Sequence, residues 1–360
     1  DHMDKIKTIH YLRGIAALLV VCFHIREYIN GVYAQQNLGD LLFLSGASGV
    51  DLFFIISGFI IAMSTDKKHE TTRTFIIKRI FRIYPVFIVS LMIFISINNV
   101  FPLNEIIRSA LLLHKNYGAS APFYDYNILY PAWTLTYEIY FYLVFVISLA
   151  IYKRHAVVIA SLMLAAPVLF FQFYFNGAIS IAADTNINVD MPFLGPLIKL
   201  MASPMMFEFI YGMVLYKIYN QMVKYKNVNI TIISVFLTGT YVCMFFSGYR
   251  FGYGPVNFGL WALILLVGCL LYERFNSVAD YKVLNTLGDY SYSMYLSHAF
   301  IISFFQKNSD MIPIYSMGNG VTKMAFTILC VVLVSYLLYN FVEKPGIILG
   351  RRLINKLNEV

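Results

Sequence analysis

The stretch LRGIAALLVVCFH, residues 12–24, decides the fold. It is apolar throughout except for Arg13 and His24, eleven positions apart. A helix turning about 100° per residue returns both side chains to within roughly 20° of one face, about 16 Å apart along the axis. An ionisable group in hydrocarbon costs at least about 2.5 kcal/mol, so such groups turn into a protein interior and mark function. One charge at an inner mouth and one group deeper suit a reaction that crosses a bilayer.

The rest of the chain agrees. Hydrophobic residues make up 59% and charged residues 13% of its 360 positions, with a mean hydropathy of +0.68. Soluble domains carry roughly 25% charge, so the reading is an all-α, polytopic membrane protein. Asp1 and His2 before Met3 read as a cloning scar, and the first apolar stretch lacks a small-residue cleavage site, so it is read as a retained span. Runs long enough to cross about 30 Å of hydrocarbon number about ten. They cover 9–29, 44–64, 84–101, 132–152, 156–175, 204–220, 230–248, 256–273, 288–306 and 321–341.

Ten spans place both termini on one side, and the basic residues say which. Of the 27 lysines and arginines, Arg13 lies within a span, and only Arg26, Arg108, Lys115, Lys199, Arg250, Lys307 and Lys323 fall in one set of connections. All the others, including Lys5, Lys67, Lys68, Lys224 and Lys226, fall in the opposite set, which the positive-inside rule makes cytoplasmic, termini included. The net charge of +8 then reflects topology and contact with anionic lipids, and nucleic-acid binding is not expected. The four cysteines, Cys22, Cys243, Cys269 and Cys330, all sit in predicted spans without metal-like spacing, so they read as core thiols, with neither disulfide nor metal expected.

No internal repeat marks the chain as a two-halved transporter. It reads as one transmembrane domain, residues 3–345, followed by a short basic cytoplasmic tail, 346–360. The longest outward loops, 102–131 and 176–203, are rich in Asn, Gly, Pro and Tyr and read either as binding loops suited to sugars or as plain interfacial anchors. On the inner side, TFIIKRIFRIYP (74–85) sets Lys78, Arg79 and Arg82 against an apolar face, the pattern of a helix lying at the interface. Such a segment binds anionic lipid, or clamps phosphate through guanidinium forks.

Together these residues resemble the acyltransferase-3 family of integral-membrane O-acyltransferases. The resemblance is carried by Arg13 and His24, GVDLFFIISGF (49–59), KRIFRIYP (78–85), PAWTLTYE (131–138), LGDYSYSMYLSH (287–298) and FVEKP (341–345), in that order over nearly the whole chain. The tryptophan motif often reads WSLxxE in the family, and Thr134 retains the hydroxyl. The soluble hydrolase-like domain that some relatives carry after the spans is not in this sequence, which leaves room for a separate periplasmic partner in the transfer.

The resemblance implies O-acylation of a bacterial surface polysaccharide, or its lipid-linked precursor, in the inner membrane. Acyl-CoA, acetyl-CoA first among the choices, is the implied donor. His24 is then the catalytic group, as base or as nucleophile. Arg13 reads phosphate or fixes an acid at the inner mouth, joined in donor binding by Lys78, Arg79, Arg82 and Tyr84. Asp51 orients the imidazole or pairs with an arginine, and Glu138 exchanges a proton with the acceptor, pairs with Arg13 or orients His24. Trp133 and Thr134, with the stripe Ser291, Tyr295 and His298 at i, i+4 and i+7, line the substrate cavity, His298 being either a second essential histidine or a helix-to-helix hydrogen-bonding group. Glu343 is expected to end its helix and pair with a base. A glycan transporter or polymerase, and an acyltransferase acting on a lipid, peptidoglycan or small molecule, remain as alternatives; oligomeric state is not readable.

Overall fold

The computed structural model describes residues 6–66, 70–222 and 228–358. Lys5, Lys67, Lys68, Lys224, Lys226 and the expected cloning scar lie outside them. Among the described residues the chain is helical, with no strand. Its principal helices are α1 (Lys7–Ile25), α2 (Gly49–Thr65), α3 (Thr72–Asn98), α4 (Trp133–Tyr152), α5 (Ala156–Asn176), α6 (Met206–Gln221), α7 (Val228–Ser247), α8 (Phe258–Phe275), α9 (Lys282–Lys307), α10 (Gly320–Leu338) and α11 (Lys344–Asn358).

Seven helical segments are long and apolar enough to cross a membrane, and an eighth is added if Leu194–Met201 and α6, bent by 46°, act as one. One of the seven, Tyr130–Asn176, contains both α4 and α5, which part where Tyr152 is extended at φ −160° and ψ 100°. Helix α9 is 26 residues long but spends its apolar surface on a polar stripe, with Ser291, Ser293, Ser297 and His298 all buried. Large apolar side chains face outward, Phe236 at 72% exposure and Leu329 at 68%. Exposure on that scale is tolerable only against lipid.

Two expectations are corrected. The basic stretch 74–85 is not a separate interfacial helix: it forms the first half of α3, which begins at an N-cap where Thr71 Oγ1 accepts from Thr74 N at 3.2 Å. Pro85 lies inside α3, so the proline nitrogen cannot donate to the Phe81 carbonyl, and the Gly346 face of α11 packs against Phe81 and Pro85. At the other end, FVEKP does not stop the chain's helical path. Residues Tyr339–Glu343 form a π-helical turn that hands over to α11, so the expected tail is largely a helix to Asn358.

With little hydrophobic drive between helices in lipid, association relies on close backbone approach and van der Waals contact. Helix α1 packs most extensively on α9, and α2 on α6. A Cβ added at Gly14 would stand 2.6 Å from the Leu287 carbonyl carbon, and one at Gly58 only 2.1 Å from the Phe209 carbonyl oxygen. These contacts seat α1 on α9 and α2 on α6, a third at Gly49 against the Ala16 carbonyl joins α2 to α1, and the gap that remains among α1, α2, α3, α4 and α9 holds the polar side chains.

Candidate active site

A cavity of ≈ 140 Å³ opens among these helices, and its polar wall is Arg13 of α1, Ser57 of α2, Arg79 and Arg82 of α3, Thr134, Glu138 and Tyr142 of α4, and Ser291, Tyr292 and Tyr295 of α9. Helical spacing explains the set. Thr134 and Glu138 stand one turn apart on α4, as do Ser291 and Tyr295 on α9, and Arg79 and Arg82 share a face of α3. Apolar residues, among them Phe53, Phe54 and Ile83, complete the lining.

Glu138 is the cavity's acid and is held by hydroxyls. Its Oε1 accepts from Ser57 Oγ at 2.9 Å and from the Tyr142 hydroxyl one turn along α4. Arg79 lies over the rings of Phe75 and Tyr142, at 5.2 and 5.5 Å from their centroids, and its buried Nε has no hydrogen-bond partner among the described residues. A buried guanidinium N–H costs free energy unless something accepts from it, so this donor is poised for a ligand oxygen. Arg13 has Arg82, Glu343, Glu138 and Tyr142 as its charged and polar neighbours. Three guanidiniums and one carboxylate thus converge on one small space, with the forked donors that phosphate oxygens match.

His24 does not line this cavity; it stands two rings beyond. Tyr295, in the wall, bonds to Thr134 Oγ1 at 3.0 Å and donates to the Pro131 carbonyl at 2.9 Å. The Tyr295 ring centroid is 6.1 Å from that of His298, which is 4.9 Å from that of His24. Tyr130 closes the group at 5.1 Å from His24. The Nδ1 of His24 bonds to the Val20 carbonyl at 2.8 Å, and that of His298 to the Met294 carbonyl at 3.3 Å. Each Nδ1 must therefore carry the proton, which leaves each neutral ring an Nε2 lone pair. His298 Nε2 is buried without a partner among the described residues. The two rings make a pair of unspent bases beside the hydroxyl end of the cavity.

The remaining sequence candidates are placed elsewhere. Asp51 does not reach His24, whose Nδ1 is already taken by its own helix; it is fully buried, accepts from Gly254 N at 2.9 Å and faces Glu208. Trp133 sits behind the wall, edge-on to Phe123, Tyr137 and Tyr253, and its carbonyl bonds to His114 Nε2 at 3.1 Å. Lys78 points away from the cavity and pairs with Glu70 at 2.6 Å, and Tyr84 lies outside the lining. Glu343 is buried, accepts from Ser293 Oγ at 2.7 Å and has the guanidiniums of Arg82 and Arg13 as its charged neighbours.

Four participants escaped the sequence reading: Ser57, Tyr142, Tyr292 and Glu208. Tyr142 was findable as the i+4 neighbour of Glu138, and Glu208 as the one acid in the apolar run 204–220. Ser57, in the SGF of the second span, carried no signal of its own.

Comparison with known proteins decides what such a site belongs to. A model of the acyltransferase domain matches residues 6–340. The chain belongs to the acyltransferase-3 family. It is 27% identical over 320 residues to the exopolysaccharide production protein ExoZ of Rhizobium meliloti, covering 86% of this chain and 92% of that protein. It is 30% identical over 155 residues to the acyltransferase MdmB of Streptomyces mycarofaciens, covering 39% of this chain and 38% of that one. No solved structure matches the chain significantly. The fold and the family together describe a membrane acyltransferase.

Proposed function

We propose that this protein moves an acyl group, acetyl first among the choices, from cytoplasmic acyl-CoA to a hydroxyl of a cell-surface polysaccharide or its lipid-linked precursor. The observation that carries the reading is the cavity itself: Arg13, Arg79 and Arg82 at one end, Thr134 and Tyr295 at the other, and the His24–His298 pair beyond. Guanidiniums suit the phosphates of a coenzyme, and the ring pair suits the removal of a proton from an attacking hydroxyl. In this scheme His24 Nε2 takes the acceptor's proton while its oxygen attacks the thioester carbonyl. The C–O bond forms, the C–S bond breaks, and the imidazolium returns the proton to the departing thiolate. An acyl group passed first to His24 Nε2 satisfies the same balance in two steps. Glu138, held by Ser57 and Tyr142, offsets the guanidinium charge when no donor is bound.

The orientation belongs to the same reading: about ten spans in the bacterial inner membrane, both termini cytoplasmic. Support comes from the division of Tyr130–Asn176 into two helices, from α6 with its bent partner, and from the length of α9. The name of the exopolysaccharide relative favours a polysaccharide acceptor. The deciding experiment is the O-acetyl content of surface polysaccharide, by mass spectrometry, in a host lacking this gene and complemented with wild type or His24→Ala. Acetyl restored by wild type alone is expected, and equal restoration by both would sink the catalytic assignment.

A further inference from the structure

By the charge pattern of the sequence only seven basic residues face outward, and three of them meet. Arg108, Lys115 and Lys199 line one cleft of ≈ 240 Å³ between the segments 108–118 and 189–199, more than 70 residues apart in the chain. Asp190 is the one acid in its lining among the described residues, so three basic side chains stand against one acidic side chain in the wall.

Each cation is tethered and still has donors to spare. Arg108 Nε donates to the His114 carbonyl at 3.3 Å, Lys199 Nζ donates to the Tyr117 carbonyl at 2.6 Å, and Lys115 Nζ lies 3.4 Å from Asp125 Oδ2. A guanidinium has five N–H donors and an ammonium three, so the tethers aim these groups without exhausting them. Low side-chain entropy and converging positive charge are what an anion site requires. The loop that forms one wall of the cleft also reaches the acyl-transfer site. Tyr117 and Tyr124 pack on His114, whose Nε2 bonds to the carbonyl of Trp133, the residue before Thr134 of the cavity wall.

We propose that this cleft holds an anionic group, phosphate or carboxylate, carried by the acceptor, and so anchors the acceptor at the outer face beside the transfer site. The inference rests on the orientation and acceptor side proposed above. A purely structural role, in which the three cations do no more than pin the loop, is the rival that the test must separate.

The full chain in phosphatidylcholine nanodiscs, with saturating CoA to fill the inner cavity, is titrated with inorganic diphosphate and with galacturonate while its melting temperature is followed. A ligand that binds the native state raises that temperature. Stabilisation of the wild type by at least one anion is expected. The double variant Lys115→Gln/Lys199→Gln should need at least tenfold more of it, Lys115→Arg/Lys199→Arg less than threefold more, and Asp190→Asn less than the wild type. No stabilisation of the wild type, or an unchanged titration in the double variant, overturns the proposal. If the double variant does not fold, Asp190→Asn decides alone, and no gain in anion sensitivity overturns it. Stabilisation by phosphatidylglycerol nanodiscs without any response to the soluble anions assigns the cleft to a lipid headgroup and also overturns it. Absence of stabilisation by CoA itself would count against the donor reading and not against the cleft, which the variants still decide.

Discussion

Glu138 and Asp51 are both acids set in apolar runs, and the molecule treats them in opposite ways. Glu138 opens on a cavity, half-buried, with two hydroxyl donors on Oε1 and the guanidiniums of Arg13, Arg79 and Arg82 in the same wall. Asp51 opens on nothing: it is sealed against Glu208, and Asp51 Oδ2 and both Glu208 oxygens receive no hydrogen bond from any other group among the described residues. A proton shared between these two carboxyls would give each a partner, since an ionised carboxylate only accepts. The Asp51 end of the pair then pins the loop between α7 and α8 at Gly254, whose neighbour Tyr253 packs on Trp133. An acid inside a span therefore marks a polar task, and its neighbours decide whether that task is chemistry or anchorage.

The contrast is open to direct tests. Glu138→Gln keeps the size and the hydrogen bonds from Ser57 but removes the charge, and acyl transfer should fall by about 100-fold or more, the scale of a lost charge or proton-transfer group. Asp51→Asn should keep transfer within about tenfold, because Asn still accepts from Gly254 N. Equal losses in the two variants, measured as polysaccharide acetyl content at matched expression, would erase the distinction.

Next in size is donor binding. Replacing Arg82 or Arg79 with Gln removes one forked phosphate donor, worth about 1.5–3 kcal/mol, and should raise the CoA concentration that half-stabilises the protein by about 10- to 100-fold. Lys78→Gln, which breaks only the pair with Glu70, should shift that midpoint by less than threefold in the same thermal titration.

Smaller still is the stability carried by the sealed pair. Glu208→Ala leaves Asp51 buried without its carboxyl partner and should cost about 1–3 kcal/mol, seen as a lower melting temperature. Asp51→Asn/Glu208→Gln restores a neutral hydrogen-bonding pair and should recover most of that loss.

An effect of similar size, seen only on acidification, concerns the loop that braces Trp133. Burial lowers the pKa of His114 to about 4, with the bond to the Trp133 carbonyl working against the shift. The folded state therefore binds its proton only near pH 4, while the unfolded chain binds one below about 6.5. Stability should fall as pH drops between these values, by about 2 kcal/mol at pH 5 relative to pH 7. His114→Gln should flatten that part of the melting profile, and an unchanged slope would remove His114 as its source.

Much of the cavity was legible in the chain because helices repeat. Arg13 belongs to the helix face chosen from spacing alone, Thr134 and Glu138 share a face, and so do Ser291 and Tyr295. Neighbours of these residues show where that legibility ends. Trp133 and Lys78 each sit one position from a cavity residue, a turn of about 100°, and that step carries them to another surface. Nothing in a single chain says which face will meet the gap. Glu208 lies more than 150 residues from Asp51, and His298 more than 270 from His24, so these pairings follow from how α2 seats on α6 and α1 on α9. His24 needs no acid to hold its ring, because the carbonyl one turn back on its own helix does so.

The sequence by itself determined a helical membrane protein of the acyltransferase-3 family and most of the polar residues that line its cavity, because hydrocarbon forces apolar runs and makes every exception informative. Only the tertiary structure decided which exceptions face a cavity, which seal against each other and which cations gather in the cleft of Arg108, Lys115 and Lys199. Those outcomes depend on contacts between helices and loops far apart in the chain, set where small residues such as Gly14 and Gly58 let backbones touch.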